Sequence, residues 1–147
     1  MYTDKGAKGA AGELITAAYY LARGYYVYRS EGQHAPFDLV VYKDGSCTRV
    51  EVKTAGICVY EQTGNRMISF PTPPKNADYD VLAVVVDDTV LIFDRNMSMS
   101  KIRDEVRRVV QAMPEKDHWT RQIKTTRTKG TYEPFRRNGL YAKEDED

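Results

Sequence analysis

The stretch FDLVVYKDGSCTRVEVKT, residues 37–54, decides the fold. Two β-rich runs, FDLVVY and CTRVEVKT, flank Lys43-Asp44-Gly45-Ser46, and Asp-Gly between such runs marks a two-residue hairpin loop. With Asp44 and Gly45 in the loop, Lys43 faces Ser46 and the register follows by counting outward. Tyr42 then opposes Cys47, and Asp38 falls opposite Glu51. Directly opposed residues hold their Cβ atoms about 4.5–5.5 Å apart, which sets two carboxylates side by side. Side chains alternate along a strand, so Lys53 shares the face of Glu51, while Leu39, Val41, Val50 and Val52 point the other way. That second face is wholly apolar and is expected to be the core side.

Like charges directly opposite one another destabilise a sheet, so a sequence that places them there has a cation to hold or a proton to share. Two carboxylates, a backbone carbonyl and waters make the oxygen-rich set that Mg²⁺ favours, with Mn²⁺ as a substitute. A lysine at the rim can orient or help deprotonate an attacking water and neutralise charge on a phosphate. The chemistry suggested is metal-assisted hydrolysis of a phosphodiester. A solvated sheet face with an ordinary ion pair would account for Lys53 but not for Asp38 against Glu51.

Upstream, residues 7–22 are rich in helix formers, with Leu14, Ala18, Leu21 and Ala22 at three- and four-residue spacing. Thr3 or Asp4 is placed to cap this helix and Gly24 to stop it. Glu13 lies on it among Gly9, Ala10 and Ala17, small residues that let a helix approach a sheet closely. A carboxylate at the margin of a buried helix face is costly unless paired or metal-bound, so Glu13 is expected to reach the same cation, directly or through water.

YYVYRS (25–30) reads as a short strand before the hairpin. After it, ICVYEQ and RMISF read as a second strand pair around Gly64-Asn65, and PTPPKNAD (71–78) as a proline-bound loop. DVLAVVV (80–86) is a continuous apolar run, expected as a central strand buried on both faces, and Asp87-Asp88 turns it into TVLIFD (89–94). Residues 98–113 carry Ile102, Val106, Val109, Val110 and Met113 as an amphipathic helical stripe that Pro114 ends. The sum is an α/β domain: a helix, a mixed, mainly antiparallel sheet, and a closing helix.

A chain of 147 residues with 41% apolar and 29% charged residues can bury a core without disulfides. No apolar run approaches a membrane span and no leader opens the chain, so a cytoplasmic protein is expected, its two cysteines, Cys47 and Cys58, reduced. Net charge is +1, but the charge is polarised: Arg121, Lys124, Arg127, Lys129, Arg136 and Arg137 face one acid, Glu133, before an acidic end at 144–147. That basic segment suits a phosphate-tracking arm on DNA. Residues 1–118 are therefore read as the core and 119–147 as a DNA-contacting or interface extension. Of the 11 tyrosines, Tyr19, Tyr20, Tyr25, Tyr26 and Tyr28 are expected in core and sheet-face packing. His34 is read as a solvent-exposed loop histidine, and His118 and Trp119 as packing or interface residues.

Pro36-Phe37-Asp38, twelve intervening residues and Glu51-Val52-Lys53 resemble the PD-(D/E)XK motif of the restriction-endonuclease-like nucleases, with Glu13 where many of them carry a helical glutamate. Phe37 separates Pro36 from Asp38, so the literal PD dipeptide is absent. The resemblance runs from about Lys5 to Asp94. It implies a restriction-endonuclease-like core, Asp38, Glu51 and the Val52 carbonyl as metal ligands, Lys53 as catalytic lysine and Glu13 as accessory acid and further ligand. Lys8-Gly9, Glu13 and Arg29-Ser30 resemble archaeal-type Holliday-junction resolvases, but those follow the ExK strand with a helix, where this chain reads as β. The segment from Asp78 to Asp94 looks more like the compact homing endonucleases of group I introns. The activity implied is site-specific, metal-dependent cleavage of double-stranded DNA by a homo-oligomer, a dimer or tetramer, in a bacterial or phage-infected cell. A restriction enzyme, a junction resolvase and a non-catalytic DNA-binding module on the same fold are the alternatives.

Overall fold

A computed structural model describes residues 5–32 and 35–123. Its elements run in chain order as α1 (Lys5–Ala22), β1 (Tyr26–Arg29), β2 (Leu39–Lys43), β3 (Ser46–Thr54), β4 (Gly56–Tyr60), β5 (Arg66–Ser69), β6 (Val81–Val86), β7 (Thr89–Asp94), α2 (Met99–Ala112) and β8 (Thr120–Gln122). Two sheets form, one ordered β1-β2-β3-β6-β7 and the other β5-β4-β8.

The hairpin register is the one counted from the sequence. Lys43 pairs with Ser46, Tyr42 with Cys47 and Leu39 with Val50. Asp44 and Gly45 both take positive φ, 53° and 81°, as a type I′ loop demands. β1 extends the sheet antiparallel on β2. On the other side β3 pairs with β6 in parallel, Val50 beside Val81 and Glu51 beside Leu82, and β7 returns antiparallel on β6 through Asp87-Asp88. The sheet is thus mixed: antiparallel but for its central pair. Leu82 to Val86 are all buried, so β6 is covered on both faces.

One face of this sheet carries Leu39, Val41, Val50, Val52, Ala83 and Val85, packed with Tyr20 of α1 and edged by Ile15, Tyr19, Tyr25 and Val27. The face that α1 buries corrects the sequence expectation. Leu14, Ala18, Leu21 and Ala22 are exposed, and the helix instead turns Gly12, Thr16, Ala17 and Tyr20 inward. The reason is steric: the helix sits so close over β3 that a Cβ on Gly12 would overlap Thr54 Oγ1 and lie 3.7 Å from Val52 Cγ1. Leucines would hold the helix further off, so the small residues take the contact. Gly9 and Ala10, read as part of this approach, make none of it: a Cβ on Gly9 would meet nothing within 4 Å, and Ala10 is exposed.

α2 is capped by Ser98, whose hydroxyl accepts from the Lys101 N–H at 3.2 Å, and buries Ile102, Val106 and Val110 as its periodicity predicts. Residues 57–67 and 114–123 gather into a second compact unit, apart from the one that holds the five-stranded sheet. In it β8, a strand the sequence pattern did not announce, pairs in parallel with β4, Cys58 beside Thr120 and Tyr60 beside Gln122. The Cys58 thiol lies 3.4 Å from Gln122 Oε1, and the Arg66 guanidinium covers the buried Trp119 ring at 5.0 Å. Among the described residues no helix is long and apolar enough to cross a membrane.

Candidate active site

Asp38 stands one residue outside the β2–β3 ladder, which ends at the Leu39–Val50 pair. Its backbone is fixed from both sides. The Asp38 N–H donates to the Val50 carbonyl at 3.0 Å, and the Ser30 N–H donates to the Asp38 carbonyl at 2.9 Å. The Ser30 hydroxyl adds a bond to the Phe37 carbonyl at 2.7 Å. Freed from the ladder, the Asp38 side chain swings across the strand end, where its Oδ2 accepts from the Val52 N–H at 2.8 Å. In a strand a residue's N–H and C=O leave on the same side. The Val52 carbonyl therefore heads toward the side from which Asp38 arrives.

Glu51 and Lys53 project from the face opposite Val50 and Val52, and their charged ends meet at 3.3 Å. Glu51 is only 8% exposed, so the carboxylate face is no solvated surface. A charged group there loses its water, and the structure replaces it incompletely. Burial first, and then the neighbouring Asp38 carboxylate, push the Glu51 carboxyl above its ordinary range, and Lys53 pulls it back only in part. Glu13 behaves alike. Burial and Asp38 raise its carboxyl, against the opposing pull of Arg29, whose Nη2 lies 3.6 Å from Glu13 Oε1. α1, β2 and β3 thus bring three carboxylates into one field. Among the described residues no three acidic, imidazole or thiolate groups converge closely enough to form a metal cage by themselves. Asp38 and Glu51 are the pair, and Glu13 stands beside them on Arg29.

Glu51 also lines a cleft of about 250 Å³ with Ala35, Pro36, Pro74, Asn76 and Ala77. Two proline-stiffened loops form its walls, and a polar frame ties them down. The Asp78 N–H donates to the Pro36 carbonyl at 3.2 Å, joining one wall to the other. Arg95 Nη1 donates to the carbonyls of Ala77 at 2.9 Å and Tyr79 at 3.1 Å. Arg49, on the same face of β3 as Glu51, grips Asp78 at 2.6 Å and Asp80 through bonds of 2.8 and 3.1 Å. That grip holds the Asp80 carboxyl down at about 2.

A buried Glu51 beside a half-buried Asp38, with Lys53 against Glu51, is the local geometry of the motif named above, and sequence comparison agrees with it. The family profile described as PD-(D/E)XK endonuclease matches residues 3–90, more than half of the chain, with Glu13, Asp38, Glu51 and Lys53 inside the match. The chain belongs to the PD-(D/E)XK endonucleases. Protein 5.3 of Escherichia phage T7 is 41% identical over 90 residues, which cover 58% of this chain and 75% of that protein. A solved bacterial homing endonuclease is similar in fold, with a TM-score of 0.53 at 22% identity over 63% of this chain and 67% of its own.

Within this PD-(D/E)XK chain the sequence reading located Asp38, Glu51, Lys53 and Glu13, and the fold gathers all four. It passed over the residues that hold them. Ser30 entered only beside Arg29 in the resolvase resemblance, although it fixes the Phe37–Asp38 backbone. Arg29, Asp78 and Asp80 entered only inside family resemblances, and Arg49 not as a site residue at all, because each acts across a long sequence separation. The basic segment is divided. Arg121 lies in β8 and pairs with Glu115, whereas Lys124, Arg127, Lys129, Arg136 and Arg137 lie outside the described residues, as does His34.

Proposed function

We propose that the chain is a metal-dependent DNA endonuclease that hydrolyses phosphodiester bonds at defined sites in double-stranded DNA. The observation that carries this is the half-neutralised acidic pair: Glu51, 8% exposed and raised by burial and by Asp38, with Lys53 as its close cation among the described residues. An excess of negative charge in a desolvated, oxygen-rich cleft suits a hard divalent cation. Asp38, Glu51 and the Val52 carbonyl would hold Mg²⁺, or Mn²⁺ in its place. When bound, such an ion supplies Lewis-acid stabilisation to a phosphate under attack.

The chain's own groups would do the rest. The Val52 N–H keeps Asp38 turned toward the site. Lys53, released from Glu51 as that carboxylate is engaged, would orient the attacking water and neutralise charge gathering on the phosphate oxygens. Glu13 would act through water, its carboxyl raised by burial and by Asp38 and so a better proton acceptor than an ordinary glutamate. The prolines at 36 and 74 keep the cleft walls stiff, so that the phosphate meets a preformed site.

The homing-type reading is favoured over junction resolution by the path of the chain. β3 is followed by β4 and β5 instead of a helix. Cutting both strands with one site per chain calls for at least a dimer or sequential nicking. The five outer cations from Lys124 to Arg137 are proposed to track phosphates on the DNA, with Arg121 at their root. The test is cleavage of supercoiled plasmid, a randomised duplex library and a four-way junction, each with Mg²⁺, with EDTA and with Lys53→Ala. Cutting of duplex at a long site, lost in both controls, is expected. Cutting confined to the junction would hand the site to a resolvase, and DNA binding without any cutting would make the chain a binding module.

A further inference from the structure

Strand parity carries the face of Glu51 and Lys53 outward onto the two strands beyond. Tyr28, Val40 and Arg49 form one cross-strand row, and Tyr26, Tyr42 and Cys47 the next. At about 3.3 Å per residue these rows lie roughly 7 and 13 Å along the strands from the Asp38–Glu51 end. Their alternates, such as Val27, pack into the core under α1. The rings themselves are open: Tyr26 is 65% exposed, Tyr28 61% and Tyr42 38%. Tyr26 and Tyr42 are loosely paired, their centroids 6.3 Å apart and their planes tilted by 37°, so neither ring covers the face of the other. Of the expected core and sheet-face packing, Tyr26 keeps the sheet-face part through Tyr42, while neither Tyr26 nor Tyr28 enters the core.

The chemistry of the face selects its partner. The cation in these rows, Arg49, is already held by Asp78 and Asp80, so the face is not built to grip phosphates, of duplex or of single strand. What the surface offers is ring faces beside Val40 and an open sheet, which suits the π-face of a base with no pairing partner. We propose that the open face of β1 and β2 is a stacking platform for unpaired bases next to the cleaved phosphate. A duplex site that is opened, or flanked by unpaired bases, would then bind more tightly than a closed one. This rests on the nuclease reading for its position, though not for its binding chemistry.

Fluorescence anisotropy in EDTA, with a labelled forked duplex and a blunt duplex of the same length, tests it on the full chain. The wild type is expected to bind the fork more tightly. Tyr26→Ala and Tyr28→Ala should each weaken fork binding about tenfold and leave blunt-duplex binding nearly unchanged. Tyr26→Phe and Tyr28→Phe should retain it, and matching thermal melts show that the fold is kept. Fork affinity unchanged in both alanine variants overturns the proposal. So does a wild-type dimer by light scattering that Tyr26→Ala dissociates while fork affinity holds, since the face would then join two copies of the chain. If fork binding follows the rings but no DNA is cut in Mg²⁺, the platform stands and the nuclease reading falls.

Discussion

Replacing Gly12 by alanine tests the placement of α1, and with it the position of Glu13. Two effects oppose each other. Alanine in a helix interior is better than glycine by about 0.8–1 kcal/mol. Against that, the new methyl would overlap Thr54 Oγ1 and stand 3.5 Å from Thr54 Cβ and 3.7 Å from Val52 Cγ1. Overpacking of this kind costs typically about 1–3 kcal/mol, and a β-branched threonine has few rotamers to retreat into. Gly12→Ala is therefore expected to destabilise by about 1 kcal/mol net, a fall of roughly 2–4 °C in Tm for a chain of this size. In a Thr54→Ala background the obstructing hydroxyl is gone and the helix preference is left alone. There Gly12→Ala should stabilise by about 1 kcal/mol. The sign reversal between backgrounds, measured by thermal or urea unfolding of all four proteins, is the diagnostic. A Gly12→Ala chain more stable than its parent in both backgrounds would mean that α1 does not lie this close to β3, and the argument for Glu13 beside Asp38 would go with it.

Two further outcomes follow from the charges. Because burial and Asp38 raise the Glu51 carboxyl, the folded chain holds that proton more tightly than the unfolded chain does. The contribution is complete below the ordinary carboxylate range and lost as pH rises through the raised value. Metal-free Glu51→Gln should accordingly melt a few degrees above wild type at pH 7 and level with it at pH 4, while Mg²⁺ raises the Tm of wild type alone. A variant that melts lower at pH 7 would show that Lys53 compensates Glu51 fully. Asp80 runs the other way: Arg49 holds its carboxyl at about 2, so this pair stabilises above the ordinary range and fades as pH falls toward that value. Arg49→Gln should be less stable at pH 6, with the deficit closing between pH 4 and 2 in denaturant titrations. A deficit that does not change with pH would assign the loss to packing.

What the sequence made legible and what it hid divide along contact distance. The hairpin was readable because its rules are local: Asp44-Gly45 fixes the loop, the loop fixes the register, and parity fixes which side chains share a face. Asp38, Glu51 and Lys53 lie within that one hairpin, so the acidic pair came with it. β6, β7 and α2 were equally plain, being long runs of a single period. α1 was misread, because its leucines repeat at helical spacing while the contact with β3 belongs to the small residues. Hydrophobicity measures what a face could bury, but here the closeness of approach chose the face. The 74–77 wall, the Arg49 grip on Asp78 and Asp80, and the Ser30 lock on Phe37 all join segments whose meeting no local rule predicts.

That division has a mechanistic consequence. The groups proposed to touch the phosphate are set by one turn and its register, whereas the cleft proposed to admit the DNA is assembled from loops far apart in the chain. Substitutions in the frame around Arg49 and Arg95 should therefore alter how substrate enters and sits more than the chemistry itself. Lys53 stands within the β3–β6 ladder, in register beside Val84, and has no such slack. A KM effect in the first group and a kcat effect at Lys53 would separate the two layers of the site.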